Sequence, residues 1–434
     1  MAKIHPFRAL QYSPGRVPIG KVVTQPYDKI SPAMRDDYYA SHPNNLVRIL
    51  RGRSEPDDSE SSSVYTRAAE YLGEWRRDGV IEQVTEPSLF AYFQRFKVPG
   101  SDETRTRKGF IGLCRLEDYA NEVVFPHERT FTGPKQDRLE LLRHTRTHFG
   151  QVFLMYSDPA QRVDALLDRV VQDPAGITVN DEYDVEHMVW RISDPGIIDA
   201  IGRAMADRSL LIADGHHRYE TALAFRDEMR RQRGSEDAGP AEWLMTTMVN
   251  MESPGVTILP THRVISDLGS YDLGGLFARV AAYFDVSEFD SFDQFEADLT
   301  SRSSEGSAIG VVGKGSDVYS VLRPKGDLDM TRILPDVTDK QAELDVVILH
   351  RLIFGKCLGI SEEEVRAGKY LSYVRGIDRS IAQVRDGDAQ VTFLLNATRM
   401  AQVRDIAFGG GVMPQKSTDF YPKVLSGLAM YCME

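Results

Sequence analysis

The segment Asp214-Gly-His-His-Arg218 gathers a carboxylate, two imidazoles and a guanidinium directly after the continuous apolar run 209–213. A run of that kind suits a strand buried on both faces. The spacing then predicts a helix over 217–231, with Gly215 supplying the tight turn between them. Such a junction lies at a strand's carboxyl end and a helix's N-terminus, where open α/β sheets bind ligands. Unsatisfied N–H groups and the helix dipole favour an anion there, and Arg218 can fork two oxygens of a phosphate or carboxylate. Gly215, His217 and Arg218 are therefore candidate phosphate or substrate ligands. Asp214 and His216 are candidate catalytic groups, because a carboxylate here can orient a hydroxyl, hold a cation or take a proton. The blander reading makes Asp214 a helix cap and the histidines satisfied polar groups, which leaves five consecutive polar or turn residues without a role.

Four further segments offer candidate residues, two of them similar in chemistry. Thr261-His262-Arg263 again places a histidine–arginine pair after an apolar stretch, and His127-Glu-Arg followed by Lys135 to Arg138 gathers charge in a loop entering a helix. His127, Lys135, Arg138, His262 and Arg263 are candidate phosphate ligands converging on a basic pocket, with Glu128 as a proton-handling carboxylate; either loop taken alone is equally well read as solvated. In Thr24-Gln-Pro-Tyr-Asp-Lys-Ile30 a proline-braced turn displays Asp28, a candidate general base or ordinary turn chemistry. Gly409 to Lys423 approaches a phosphate-binding loop, but Gln415 replaces the second glycine and Pro414 removes an N–H, so that motif is rejected. Lys416 and Ser417 remain candidate donors from this loop, whose bland alternative is a connector after a helix C-cap.

None of these histidines shows the HxxxH spacing and no cysteine partner is near, so a protein-held metal is not expected. Mg²⁺ shared with substrate phosphates needs only one or two carboxylates, and Asp214 or Asp28 can supply them. GxGxxG after a strand, a GxSxG elbow and a nucleophile-type cysteine setting are all missing, which argues against dinucleotide, α/β-hydrolase and thiol chemistry.

The elements that must position these residues read as α/β, a mixed α+β chain. A helix is expected at 63–78, two strands at 89–98 and 108–116 around the polar connection 99–107, a strand at 151–156, and a helix at 158–171 begun by Asp-Pro. The run 243–250 fits strand or helix. Beyond a soft boundary near 270, short helices and strands alternate (helices 275–284, 290–300, 339–356, 376–385 and 398–407; strands 307–312, 317–322 and 390–395), giving a catalytic domain over 1–270 and a smaller α/β domain over 271–434 that lends the loop 409–423. With 434 residues, 42% hydrophobic and 27% charged, the chain is long enough for two or three cores. Net charge −12, from 52 basic against 64 acidic residues, argues against nucleic-acid and anionic-membrane partners. Three scattered cysteines and the lack of an apolar leader or spanning run point to the cytoplasm.

Seven segments occur in order: Ile4-His-Pro-Phe-Arg-Ala-Leu10, Gln25-Pro-Tyr-Asp28, His127-Glu-Arg-Thr130, Pro134-Lys-Gln-Asp-Arg138, Asp214-Gly-His-His-Arg-Tyr-Glu-Thr221, Pro260-Thr-His-Arg263 and Met413-Pro-Gln-Lys-Ser-Thr418. Together they resemble the signature of the prokaryotic domain-of-unknown-function family 1015. Asp214 to Arg218 is also similar to the DGHTR-type motif of free-serine kinases in the ParB/sulfiredoxin-like superfamily, with His217 standing in place of the threonine. That resemblance implies a ParB/sulfiredoxin-like core whose turn and helix N-terminus hold a nucleotide or substrate phosphate, with ADP or ATP as cofactor. The family's frequent gene neighbours, from the phosphorylated serine pathway, imply phosphoryl transfer to or from serine or hydrolysis of O-phosphoserine. The expected function is a phosphotransferase or phosphatase acting on a small phosphorylated metabolite. The alternative is a nucleotide-binding regulatory protein without turnover, and a homo-oligomer stays open.

Overall fold

The chain is a mixed α/β protein, seen here in a computed structural model that describes all residues except 60, 129–132, 270, 302–305 and 434, and only the backbone of Gly133 and Pro134. Arg129 and Thr130 of the His127–Thr130 motif thus lie outside the described residues. Two compact units divide the chain: Met1–Pro126 with Thr130–Thr257 and Pro422–Glu434, and His127–Arg129 with Ile258–Tyr421. The division falls at 257/258 rather than near 270, and the last residues return to the first unit. They return because their backbone is held there, Leu10 and Met430 exchanging two hydrogen bonds of 2.9 Å.

In the first unit, a nine-stranded mixed sheet takes β1 (Ile4–His5), β2 (Leu89–Lys97), β3 (Thr104–Arg115), β4 (Val124–Phe125), β5 (Val152–Tyr156), β6 (Ile177–Asn180), β7 (Glu186–Ile192), β8 (Leu210–Asp214) and β9 (Trp243–Asn250). Its order is β4-β8-β5-β9-β3-β2-β7-β6, with β1 pairing β3. The apolar run 243–250, ambiguous in sequence, is a strand because it is clasped between β5 and β3. The hairpin arm β3 begins at Thr104 rather than 108, since Thr104 to Arg107 pair with Lys97 to Gln94. Along β3 and β9, Phe110, Cys114, Leu244 and Met248 fall on one face, where they share a core with Val163 and Leu167 of α3 (Arg162–Val170, following α1, Val64–Arg77, and α2, Gly133–Thr145). Ile201 and Met205 of α4 (Pro195–Met205) and Tyr219 of α5 (His216–Arg233) close that core. Helix α3 starts four residues after Asp158 rather than at Asp-Pro, because the Asp158 carboxylate accepts from Arg162 N at 2.7 Å and caps it from a distance.

In the second unit, β10 (His262–Ile265), β11 (Phe284–Phe289), β12 (Ile309–Gly313), β13 (Tyr319–Pro324), β14 (Leu371–Val374) and β15 (Val391–Leu395) form a six-stranded sheet of order β11-β13-β12-β15-β10-β14. Helices Leu273–Val280, Phe292–Ser301, Ile377–Arg385 and Met400–Phe408 accompany it. The single helix expected over 339–356 is broken into Asp339–Ala342, Asp345–Ile348 and a π-helical Leu349–Leu358. Leu344 adopts extended backbone (ψ 125°) and interrupts the ladder.

Candidate functional site

Strand β8 is buried along Leu210–Ala213 and ends at the half-buried Asp214. Gly215 then takes φ +95°, a left-handed geometry that glycine adopts without strain. A Cβ at this position would also sit 3.0 Å from Arg218 Nε, so glycine is what allows the guanidinium to fold back over the turn. Helix α5 starts at His216, one residue earlier than expected, and its N-cap, Gly215, has no side chain with which to close the first turn. The first amides of an 18-residue helix are thereby turned toward the strand end.

Arg218 Nη2 lies 2.5 Å from Asp214 Oδ2, and its Nη1 donates to the Gln151 carbonyl. Lys423 Nζ approaches Asp214 Oδ1 at 3.2 Å. All three side chains are largely shielded, with 11–15% exposure. Burial alone would raise the Asp214 carboxyl, but Lys423 and Arg218, with Lys29 behind them, outweigh it and hold the group well below the usual carboxylate range. Asp214 is therefore ionised at neutral pH.

Long-range pairing delivers Lys423 to this place. Register sets His187 opposite Gln94 and Gln94 opposite Arg107, a polar row across β7, β2 and β3. Arg107 Nε donates to Gln94 Oε1 at 3.0 Å, its Nη2 donates to the Pro422 carbonyl at 2.6 Å, and Gln94 Nε2 donates to the Lys423 carbonyl at 2.8 Å. Beside them, Tyr92 OH bonds His187 Nδ1 (2.7 Å) and accepts from Leu425 N (3.3 Å), while His187 Nε2 faces Asp181 Oδ2 at 3.1 Å. The row thus clamps the backbone of 422–425 and aims the Lys423 ammonium at Asp214. Burial lowers the Arg107 guanidinium to about 10, against the opposing pull of Tyr92 and Asp214, which leaves it charged at pH 7.

Lys423, Arg107, Gln94 and Gln151 were not singled out as site residues from the sequence. In the sequence Arg107 lies in a polar connection, and Lys423 ends a loop whose candidate donors are Lys416 and Ser417. A lone lysine or glutamine carries no motif, so only the pairing reveals them. Three buried polar side chains near this end of the sheet also lack a protein partner: both ends of the Gln151 carboxamide, Thr247 Oγ1 and Thr24 Oγ1. A buried donor or acceptor left unmet costs about 1–3 kcal/mol.

The other sequence-derived candidates of the first unit cluster around this turn. Asp28 is exposed on a 3₁₀ turn, Tyr27–Lys29, whose Gln25 anchor donates to Asp181 Oδ2 at 3.0 Å. Arg138 lies over the Tyr27 ring at 4.4 Å and donates to the Leu50 carbonyl. Lys135 is ion-paired with Glu220 of α5. Arg138 and Arg218 share the wall of a cavity of about 70 Å³ with Tyr27, Gly150 and Ser426.

The remaining candidates belong to the second unit. His127 is buried, with Nε2 2.7 Å from Thr418 Oγ1, and Glu128 lies 3.4 Å from the same hydroxyl. Ser417 donates to the Pro414 carbonyl at 2.5 Å, and Lys416 is exposed with φ +57°. Arg263 is 1% exposed inside the sheet, and each of its nitrogens is engaged: Nη1 with the Thr261 carbonyl, Nη2 with the Lys416 carbonyl at 2.9 Å, Nε with His350 Nε2 at 3.3 Å. Its neighbour His262 accepts from Leu395 N through Nδ1, and its buried Nε2 has no partner. Burial, seconded by Arg263, lowers this imidazole to about 4, so it is neutral at pH 7. Neither residue offers charge to a ligand, because strand burial has turned both inward. A cavity of about 580 Å³ in this unit is bordered by Arg323, Asp345 and Ser417, but Arg323 is paired with Asp298 and Ser417 with Pro414.

Among the described residues, no three His, Cys, Asp or Glu side chains are grouped to hold a metal. Both Asp214 oxygens already face cations, so Mg²⁺ ligation there would have to displace Arg218 or Lys423. No helix is long and apolar enough to cross a membrane among the described residues.

The family model described as "Protein of unknown function (DUF1015)" matches residues 4–366. The chain belongs to this family. No curated protein matches this chain. Among solved structures, the DUF1015 chain is similar to a conserved hypothetical protein from Pyrococcus furiosus (14% identity, TM-score 0.33, covering 71% of this chain and 89% of that one). It is also similar to a free serine kinase in complex with AMP (13% identity, TM-score 0.34, 73% and 91%) and to SbnI with a C-terminal truncation from Staphylococcus aureus (9% identity, TM-score 0.34, 73% and 85%).

Proposed function

We propose that the first unit, a core of the ParB/sulfiredoxin-like type, carries a phosphoryl-transfer site for a small phosphorylated metabolite, with O-phosphoserine or serine as substrate and ADP or ATP as the phosphoryl partner in the nucleotide-dependent form. One observation carries this reading: the N-terminus of α5, with glycine as its N-cap, adjoins Arg218, Lys423, Arg107 and Lys29, gathered about the carboxylate of Asp214. These cations outnumber the carboxylate, and the net positive field attracts an anion. Phosphoryl transfer asks mainly for positioning and for charge stabilisation on the equatorial oxygens, which this arrangement supplies without a strong nucleophile. Arg218, His217 and the helix amides bind the phosphoryl group. Asp214 holds the cationic side chains in place and accepts from a substrate amine. Asp28, exposed two residues before Ile30, exchanges the proton with the ester or hydroxyl oxygen.

The test is phosphate release from O-phosphoserine, and phosphoryl exchange between serine and ADP or ATP with and without Mg²⁺, for wild type and Arg218→Ala. Turnover that falls at least a hundredfold in the variant, on the order of 3 kcal/mol, supports the reading. Absence of turnover across a panel of phosphorylated metabolites removes it. Nucleotide-dependent thermal stabilisation without product then favours a binding protein.

A further inference from the structure

The cavity of about 580 Å³ in the second unit has the size of a small-molecule pocket, roughly 300–1,000 Å³. Two local breaks shape it. Leu395 ends β15 and a short connection leads to the helix Met400–Phe408, while Leu344, in extended backbone, lets a new helix begin at Asp345. Asp345 thus stands in a first helical turn, where the helix dipole favours a carboxylate, and it borders the cavity half-buried. Its carboxylate forms no ion pair among the described residues. Burial pushes the carboxyl up to about 6, partly offset by donors from Ser307, Ala308 and Asn396, so the group is mainly ionised at pH 7. Those side chains are themselves committed to main-chain carbonyls, Ser307 Oγ to Glu343 at 3.2 Å and Asn396 Nδ2 to Leu299 at 3.0 Å. The guanidiniums bordering the cavity do not supply the missing charge either. Arg323 is paired with Asp298, Arg263 is bonded to the Thr261 and Lys416 carbonyls, and Arg399 is exposed.

A carboxylate drawn out of water is ordinarily paired, so the one at this cavity calls for a cation. A metal ion is poorly served, because no three His, Cys, Asp or Glu side chains are grouped among the described residues. An ammonium needs one carboxylate to donate to. Pro324, Met330, Leu344 and Leu395 also border the cavity and give a carbon body an apolar wall. We propose that this cavity is a binding site for a small organic amine, with the ammonium paired to Asp345 and the carbon body against Met330 and Leu395. The site lies wholly within the second unit and stands or falls independently of the phosphoryl-transfer reading. The competing role for Asp345, a carboxylate that serves only its helix start, calls for no ligand.

The experiment compares 2-phenylethylamine with 2-phenylethanol, which share a carbon body and differ in charge, and adds Mg²⁺ alone as a third probe. Affinity is read by calorimetry and thermal stabilisation on the full chain at pH 7.5, for wild type, Asp345→Asn and Ala397→Leu. Wild type is expected to bind the amine at least about tenfold more tightly than the alcohol, because a charge-assisted hydrogen bond is roughly twice as strong as a neutral one. Asp345→Asn keeps the side chain's shape and should lose about tenfold or more in amine affinity while holding the alcohol within about twofold. Ala397 borders the cavity, so Ala397→Leu narrows it with the carboxylate intact and should weaken both ligands about tenfold. A wild type that binds no amine, that binds the alcohol as tightly, or that Mg²⁺ stabilises as much as the amine does overturns the proposal. So does an Asp345→Asn variant with wild-type amine affinity. Should that variant fail to fold, Ala397→Leu decides: weakened amine binding supports the site, and unchanged binding overturns it.

Discussion

Two histidine–arginine pairs follow apolar strands in this chain, and they end in opposite conditions. His217-Arg218 opens a helix, where the guanidinium is 13% exposed, is held by one carboxylate and one carbonyl, and stands at the helix N-terminus behind a glycine N-cap. His262-Arg263 lies inside β10, where the guanidinium is enclosed and bonded to Thr261, Lys416 and His350. The difference teaches that an arginine's role follows from what its backbone element leaves unmet. A helix start presents spare N–H groups and a shared positive field, whereas a central strand has all its polar groups paired, so its arginine becomes a cross-link between loops.

The contrast can be broken most directly at Arg263. Replacing it by alanine leaves the Thr261 and Lys416 carbonyls without their donor and opens a cavity, which should cost about 3–5 kcal/mol of second-unit stability. Chemical denaturation followed by a second-unit probe measures it, and a loss under about 1 kcal/mol would mean that the enclosed arginine is no cross-link.

The neighbouring imidazole gives a pH test. The folded state holds His262 at about 4, below its ordinary 6.5, so folding favours the neutral ring. Its contribution is whole above pH 6.5, is lost as pH falls from 6.5 towards 4, and amounts to at most about 3 kcal/mol. His262→Asn keeps an acceptor for Leu395 N, and its melting temperature should fall less between pH 7 and pH 5 than that of the wild type. His148, which burial also lowers to about 4, retains part of the slope. The Asp214 carboxyl adds nothing in this window, because its depressed value places its loss of stabilisation below the ordinary carboxylate range.

At the helix mouth the effects should appear in ligand affinity more than in stability. Arg218→Ala is expected to weaken binding of a phosphorylated ligand about a hundredfold, with a smaller melting shift than Arg263→Ala. Lys423→Met should cost about tenfold in the same titration, since Arg218 still holds Asp214. If Lys423→Met equals Arg218→Ala in effect, the two cations act as one unit and the helix start is not the principal anchor.

Much of the first unit's grammar was legible in the residues. The apolar run before Asp214, the glycine after it and the helical periodicity beyond are local signals, and β8, the turn and α5 stand within a residue or two of the expected positions. The mixed α/β class followed from the same alternation. Harder to read were the places where pairing overrides local texture: Arg107 in a polar stretch that is a strand, and the interrupted helix beyond Asp339.

The sequence by itself determined the strand–turn–helix that offers amides and a guanidinium, because its causes lie within about one helical turn of each residue. Tertiary structure alone decided which charges surround it. Arg107 meets the Pro422 carbonyl across 315 residues, and Lys423 meets Asp214 across 209. Register between distant strands, not composition, sets Gln94 between His187 and Arg107 and turns Arg263 inward, and a register is a property of paired backbones that no single segment carries.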